Sequence, residues 1–203
     1  MKNYSVETQC VQAGYEPKSG EPRVAPIVQS TTYKYDDADQ VAALFDLSAV
    51  GHMYSRISNP TVEVLEKKLA VLEGGVGALG VASGQSANFF AIFTLCSAGD
   101  NFICLSNLYG GTHTLFTSTL KRMGIEATIL PCTIEPKEIA KHVNSKTKLL
   151  FAETLGNPGV EVLDIEAFAK VAHDNKLAFV VDNTFATPYL CRPIEHGADI
   201  VTH

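Results

Sequence analysis

The sequence predicts an α/β fold: a mainly parallel sheet sandwiched by helices and preceded by an extended N-terminal arm. One observation carries the sheet. From residue 59 onward short apolar runs alternate with helical stretches, and parallel strands need crossovers of that kind to join them. A second observation carries the arm. Residues 1 to about 35 are rich in Gly, Pro, Ser and Thr, with Pro17, Pro22 and Pro26 blocking a helix. Composition supplies a third, since 46% of the 203 residues are hydrophobic and 19% are charged. That balance excludes disordered and low-complexity chains.

Taken in order, residues 36–47 (DDADQVAALFDL) predict one short amphipathic helix. The loop VGHMYSRIS that follows has no periodicity but is dense in reactive side-chain types. Asn59 can cap the next helix, Pro60 suits its first position, Leu65, Leu69 and Leu72 repeat along one face, and Gly74 stops it. The alternation then predicts strand 78–82, helix 86–97, strand 102–106, helix 111–123, strand 126–130, helix 135–143, strand 148–153, helix 164–175 and strands 177–181 and 198–202. The organisation expected is an arm, helix and loop over 1–58, then an α/β domain over 59–203. No internal repeat is visible.

Charge and hydropathy narrow the function classes. Sixteen Lys and Arg against 22 Asp and Glu give a net charge of −6, the wrong sign for phosphate-backbone binding, so no nucleic-acid partner is expected. The most apolar run, from Phe89 to Cys96, falls well short of the ~18 residues of a membrane span, so no membrane partner is expected either. The N-terminal MKNYSVETQC is polar where an export signal would be apolar, which makes the expected location cytoplasmic. Five cysteines without a CxxC pair read as buried thiols, with no metal site and no disulfide expected.

Ligands of open α/β sheets sit at the carboxyl ends of the strands. The residues there are Ser83, Gly84, Gln85 and Ser86, then Tyr109 and Gly110, then Glu153, Thr154 and Asn157, then Asp182 and Asn183, and last His203. Singly, each has an ordinary reading as a turn glycine, a loop-capping Asx residue or a surface aromatic. Their joint placement on one edge marks a site. Two imitations are set aside. Gly75, Gly77 and Gly80 spell GxGxxG, but they follow a helix where the dinucleotide fingerprint follows a strand. Ser86, Asp182 and His203 keep the order of an α/β-hydrolase triad, yet the turn lacks the second glycine of GxSxG. A small-residue turn at a helix start suits a phosphate, an aromatic ring can stack on a flat heterocycle, and a carboxylate can keep a ring nitrogen protonated. Those are the requirements of pyridoxal phosphate, with Asp182 as the carboxylate.

The stretches YSRISNPT (54–61), ASGQSA (82–87), NLYGGT (107–112), ETLGNP (153–158), VVDNTFATPYL (180–190) and GADIVTH (197–203) resemble, in order, motifs of the Cys/Met-metabolism family of pyridoxal-phosphate enzymes. Within that family LFDLSAVGH, the glutamine of SGQ, YGGTH and ETLGNP look most like the O-acetylhomoserine sulfhydrylase branch. The resemblance implies the aspartate-aminotransferase-like large domain of fold type I and pyridoxal 5'-phosphate as cofactor. It implies that the Gly84 and Gln85 backbone binds the phosphate, Tyr109 stacks on the ring and assists proton traffic at the leaving group, Asn157 meets the 3'-hydroxyl and Asp182 meets the ring nitrogen. Tyr54 and Arg56 would reach the phosphate of a neighbouring subunit, which implies a homo-oligomer, a dimer of shared sites or a tetramer. The expected reaction is γ-replacement on an amino-acid substrate, O-acetyl-L-homoserine, with sulfide. The alternatives are γ-elimination of the methionine or cystathionine γ-lyase type, cystathionine γ-synthase chemistry, or a non-catalytic fragment. The last is weighed because the Schiff-base lysine that follows GADIVTH in the family, and the C-terminal domain after it, are not found in these 203 residues.

Overall fold

The computed structural model describes residues 4–203; the first three residues of the expected arm lie outside that range. Two units make up the chain, the first ending at Gly80 and the second running from Val81 to His203. Helix 60–73, which the sequence groups with the α/β domain, belongs to the first unit.

Among its described residues the first unit holds three helices, α1 (Val6–Gln12), α2 (Ala38–Phe45) and α3 (Pro60–Glu73). Helix α1 corrects the expectation of a wholly extended arm. The prolines that block helix begin only at Pro17, so VETQCVQ is free to coil. It is tied to α3 by Lys68, whose Nζ donates to the Cys10 and Val11 carbonyls at 3.0 and 3.3 Å. Helix α3 has the ends its sequence predicts. Asn59 Oδ1 accepts from the Thr61 and Val62 N–H groups, Pro60 opens the first turn, and Gly74 closes the helix at φ 77°. The same Asn59 donates through Nδ2 to the Val28 carbonyl at 3.0 Å, and Thr61 Oγ1 donates to Pro26 O at 3.0 Å. The arm is thereby stitched along the start of α3.

Residues 78–82 form no strand. A strand exists only with a paired neighbour, and Gly77, Ala78, Gly80 and Ala82 offer neither β-branched packing nor burial; Leu79 is 76% exposed.

The second unit is built on five parallel strands, β1 (Asn101–Leu105), β2 (Glu126–Leu130), β3 (Thr147–Glu153), β4 (Ala178–Asp182) and β5 (Ile200–Thr202), in the spatial order β2-β1-β3-β4-β5. One face packs Ile103, Leu105, Leu150, Ala152, Phe179 and Val181 against α7 (Ile165–Asp174). The opposite face packs Phe102, Cys104, Leu149, Phe151 and Val180 against Ile92 of α4 (Gly84–Leu95) and Phe116 and Leu120 of the next helical rod. That rod is α5 (Gly110–Thr114), a π-helical turn over Leu115–Thr119 and α6 (Leu120–Arg122), where the sequence predicts one regular helix. Phe116 sits in the π turn with rings of Phe102 and Phe151 edge-on to it, each at 4.9 Å. Segment 136–142 winds as a 3-10 helix, starting on a proline and held by the single buried side chain of Ile139. A four-residue α8 (Thr187–Leu190) and a 3-10 turn (Pro193–His196) precede β5, both too short for periodicity to reveal. All five cysteines are free thiols. Cys96 and Cys104 are buried, while Cys10, Cys132 and Cys191 are only partly so, which corrects the expectation that all are interior. Burial pushes the Cys104 thiol up to about 12 and the Cys96 thiol up to about 11.

In this strand order the chain leaves β1 toward β2 on one side and returns to β3 on the other, so the switch of direction falls between β1 and β3. That is where a crevice opens at the carboxyl ends of such sheets. Phe116 is fully buried at the centre of one core layer. Phe116→Ala is expected to destabilise the fold by about 3–5 kcal/mol, read as a lowered urea midpoint with unchanged slope. A loss under about 1 kcal/mol would mean the aromatic cluster relaxes around the gap.

Candidate active site

The crevice is a cavity of about 430 Å3 lined by Ser83, Gly84, Gln85, Asn88, Tyr109, Glu153, Leu155, Asn157, Asp182, Thr184, Phe185 and His203. Five of the expected site residues, Gly84, Gln85, Tyr109, Asn157 and Asp182, meet in it. Tyr54 and Arg56 belong to the first unit and are not among its lining. There the Arg56 guanidinium lies over the Tyr54 ring, 5.5 Å from its centroid.

One end of the cavity is the start of α4. Ser83 caps it, its Oγ accepting from the Ser86 N–H at 3.1 Å. The N–H groups of Gly84 and Gln85 have no acceptor among the described residues, as expected for the first turn of a helix. Gly84 is required there by close approach. A Cβ on it would stand 2.9 Å from the His203 carbonyl oxygen. The Ser86 hydroxyl pairs with Ser83 Oγ at 3.0 Å, and Ser86 does not line the cavity, so the triad imitation is not assembled. Gly75 and Gly77 follow α3 in an irregular stretch and form no strand-to-helix turn.

Tyr109 follows β1 and stands at the start of α5, its ring half-exposed. The ring folds back over Gly111, where a Cβ would come within 2.6 Å of Tyr109 Cε1. The Tyr109 N–H donates at 2.8 Å to Glu153 Oε1 at the end of β3, which spans the switch point. Glu153 is 6% exposed, and burial pushes its carboxyl up to about 7, with the Asp182 charge adding and the Tyr109 N–H opposing.

Asp182 ends β4, and three donors face its carboxylate. Asn88 Nδ2 reaches Oδ2 at 3.0 Å, while Oδ1 accepts from Thr184 N at 3.0 Å and Thr184 Oγ1 at 2.5 Å. Asn157 follows β3, its N–H donating to the Asn107 carbonyl at 3.3 Å. Asn183, also expected at this edge, is fully buried and faces elsewhere, with Nδ2 on the Cys191 carbonyl and Oδ1 accepting from Thr154 Oγ1. Sequence reasoning missed Asn88, Leu155, Thr184 and Phe185. Asn88 left one signal, an amide inside the otherwise apolar run of α4.

The cavity thus orders its groups: two open N–H groups with the positive end of a helix behind them, a half-exposed aromatic ring, and a carboxylate held by donors. A flat cofactor with a phosphate at one end and a protonated heteroaromatic nitrogen at the other fits that order, and about 430 Å3 is within the range of small-molecule sites.

Fold and site together define the large-domain fold of the fold type I pyridoxal-phosphate-dependent enzymes. Residues 7–203 match the model of the Cys/Met metabolism PLP-dependent enzymes, and the chain belongs to that family. It is 43% identical over 203 residues to the O-acetyl-L-homoserine sulfhydrylase of Leptospira meyeri, covering 100% of this chain and 46% of the relative. It is 46% identical over 199 residues to O-acetyl-L-homoserine sulfhydrylase 1 of Thermus thermophilus, covering 97% and 47%. Among solved structures, one assigned as an O-acetylhomoserine (thiol)-lyase from Campylobacter jejuni, carrying a pyridoxyl-lysine phosphate, superposes with a TM-score of 0.93 at 40% identity, over 98% of this chain and 50% of that one. Cystathionine gamma-lyase of Lactobacillus plantarum gives 0.87 at 33%, over 98% and 49%. The chain spans about half the length of the curated relatives it matches.

Glu153→Gln tests the buried carboxyl, since the amide keeps an acceptor for the Tyr109 N–H. The folded carboxyl titrates near 7 against 4.5 for an ordinary glutamate, so the native protein loses stability as pH rises through that interval and does not regain it above. Relative to wild type, Glu153→Gln is expected to gain about 3 kcal/mol more at pH 8 than at pH 4, measured from urea midpoints. The same shift at both pH values would contradict the elevated carboxyl.

Proposed function

We propose that this chain is the cofactor-binding part of an enzyme that replaces the γ-substituent of an amino acid: O-acetyl-L-homoserine and sulfide become L-homocysteine and acetate. The observation that carries the proposal is the gathering of Gly84, Gln85, Tyr109, Asn157 and Asp182 around one cavity, in a chain whose relatives include named O-acetyl-L-homoserine sulfhydrylases. Pyridoxal phosphate, when bound, supplies an electron sink that takes up negative charge developing at the substrate carbons.

The residues of this chain do the rest by holding and orienting. Gly84 and Gln85 offer their N–H groups to the phosphate, with the α4 dipole adding to the attraction. Asp182 accepts from the protonated ring nitrogen, and that charge pairing keeps the proton in place. Tyr109 covers the ring face and presents its hydroxyl as the group that moves a proton at the leaving oxygen. Asn157 directs its amide at the 3'-hydroxyl. Glu153 fixes where the Tyr109 backbone sits, and so where the ring lies. Arg56, already stacked on Tyr54, offers its planar fork to the phosphate of a second subunit. The assembly proposed is therefore a homo-oligomer with shared sites, a dimer or a tetramer built from dimers, in a cytoplasmic setting.

The test is turnover by the full-length protein loaded with pyridoxal phosphate. With O-acetyl-L-homoserine and sulfide, equal amounts of homocysteine and acetate are expected, and Asp182→Asn is expected to lower kcat at least about 100-fold. Release of 2-oxobutyrate without sulfide would replace this reading with γ-elimination; no product of either kind would leave a binding fragment.

A further inference from the structure

Asn88 lies near the start of α4, 1% exposed, and its whole amide is engaged. Its Oδ1 accepts from Thr202 Oγ1 at 2.6 Å. Its Nδ2 donates to Asp182 Oδ2 at 3.0 Å and reaches Thr112 Oγ1 at 3.5 Å. A hydroxyl proton can be given to the amide oxygen and not to its NH2, while a carboxylate can only accept from the NH2. The carboxylate of Asp182, which only accepts, therefore leaves the amide one orientation, with Oδ1 turned to the Thr202 hydroxyl. Thr112 and Thr202 are themselves buried.

The bonds to the other carboxylate oxygen are of a different kind. Thr184 is two residues on from Asp182, and its N–H and hydroxyl make a local turn that any aspartate there would form. Asn88 comes from another element, 94 positions away in the chain. With Oδ1 held by the local turn, the bond to Oδ2 sets the rotation of the carboxylate plane.

We propose that Asn88 is the positioning residue of Asp182: it holds the carboxylate turned toward the ring nitrogen of the bound cofactor, and Thr202 locks Asn88 in place. The inference rests on the reading of Asp182 given above. Asn88 also lines the cavity, but both sides of its amide are taken up by Thr202, Asp182 and Thr112, so its role runs through Asp182.

The experiment is a double-mutant cycle in the full-length protein, with Asn88→Leu, Asp182→Asn and the pair. The readouts are the affinity for pyridoxal phosphate and the pH midpoint of the bound cofactor's visible absorption band. Asn88→Leu is expected to weaken cofactor binding roughly tenfold, the size of one hydrogen bond to a charged group, and to move the band's midpoint. In the Asp182→Asn background the same substitution is expected to change affinity less than about twofold. A role confined to packing would lower the urea midpoint equally in both backgrounds and leave the band in place, and that result overturns the proposal. If Asp182→Asn alone moves neither readout, the reading of Asp182 has failed and the inference with it. If Asp182→Asn moves both and Asn88→Leu neither, only the inference fails. Should Asn88→Leu not fold, Thr202→Val decides, with a smaller shift in the same direction expected and no shift overturning the proposal.

Discussion

The site depends on a register. In the parallel ladders Glu153 stands opposite Asp182, and Asp182 opposite Thr202. Register partners point to the same face, and alternation along each strand makes that face the one carrying Leu149, Phe151 and Val180. The row of polar side chains is thus the last rung of an apolar layer. A slip of one residue in β4 would send Asp182 to the α7 side and bury it among hydrocarbon. Three strands must agree for the carboxylates and the threonine to arrive together, and the fully buried runs LLFA and FVV enforce that agreement by leaving no polar alternative.

That origin accounts for the electrostatics of the cavity. Groups at the end of an apolar layer are half-desolvated, which is why Glu153 is pushed upward and why each donor near Asp182 matters. Helix α4 closes the layer from the other side and contributes at two depths. Its first turn offers backbone N–H groups, and Asn88 farther along offers an amide. The rod after β1 closes the remaining side through Tyr109, whose backbone is moored to Glu153. Sheet, helix and rod each supply one wall, so the cavity is a product of packing more than of any one loop.

Much of this was legible in the sequence, for a physical reason. Strands buried on both faces read as short apolar runs, so β1, β3 and β4 lie within a residue of the reading; the edge strand β2, only partly buried, still falls on 126–130 as expected. Tyr109, Asn157 and Asp182 were singled out because position after a strand is itself informative, whereas Gly84 and Gln85, read as following a strand at 78–82, instead follow an irregular stretch and line the cavity as the first turn of α4. What escaped depends on partners far away in the chain. Asn88 looks like an odd residue in an apolar helix until Asp182 and Thr202 are beside it. Residues 78–82 look like a strand until a neighbour is sought. The π turn in the rod follows from the fit of Phe116 between two rings, which no periodicity announces.

The interior sulfur has a consequence of its own. A thiol reacts with oxidants and disulfides through its thiolate, and Cys96 and Cys104 are held protonated far above neutral pH by the hydrocarbon around them. Both therefore carry little thiolate at neutral pH and react slowly with oxidants and disulfides while the layer stays closed. The apolar layer thus uses Cys96 and Cys104 as small hydrophobic filling, which lessens its sensitivity to the redox poise around it.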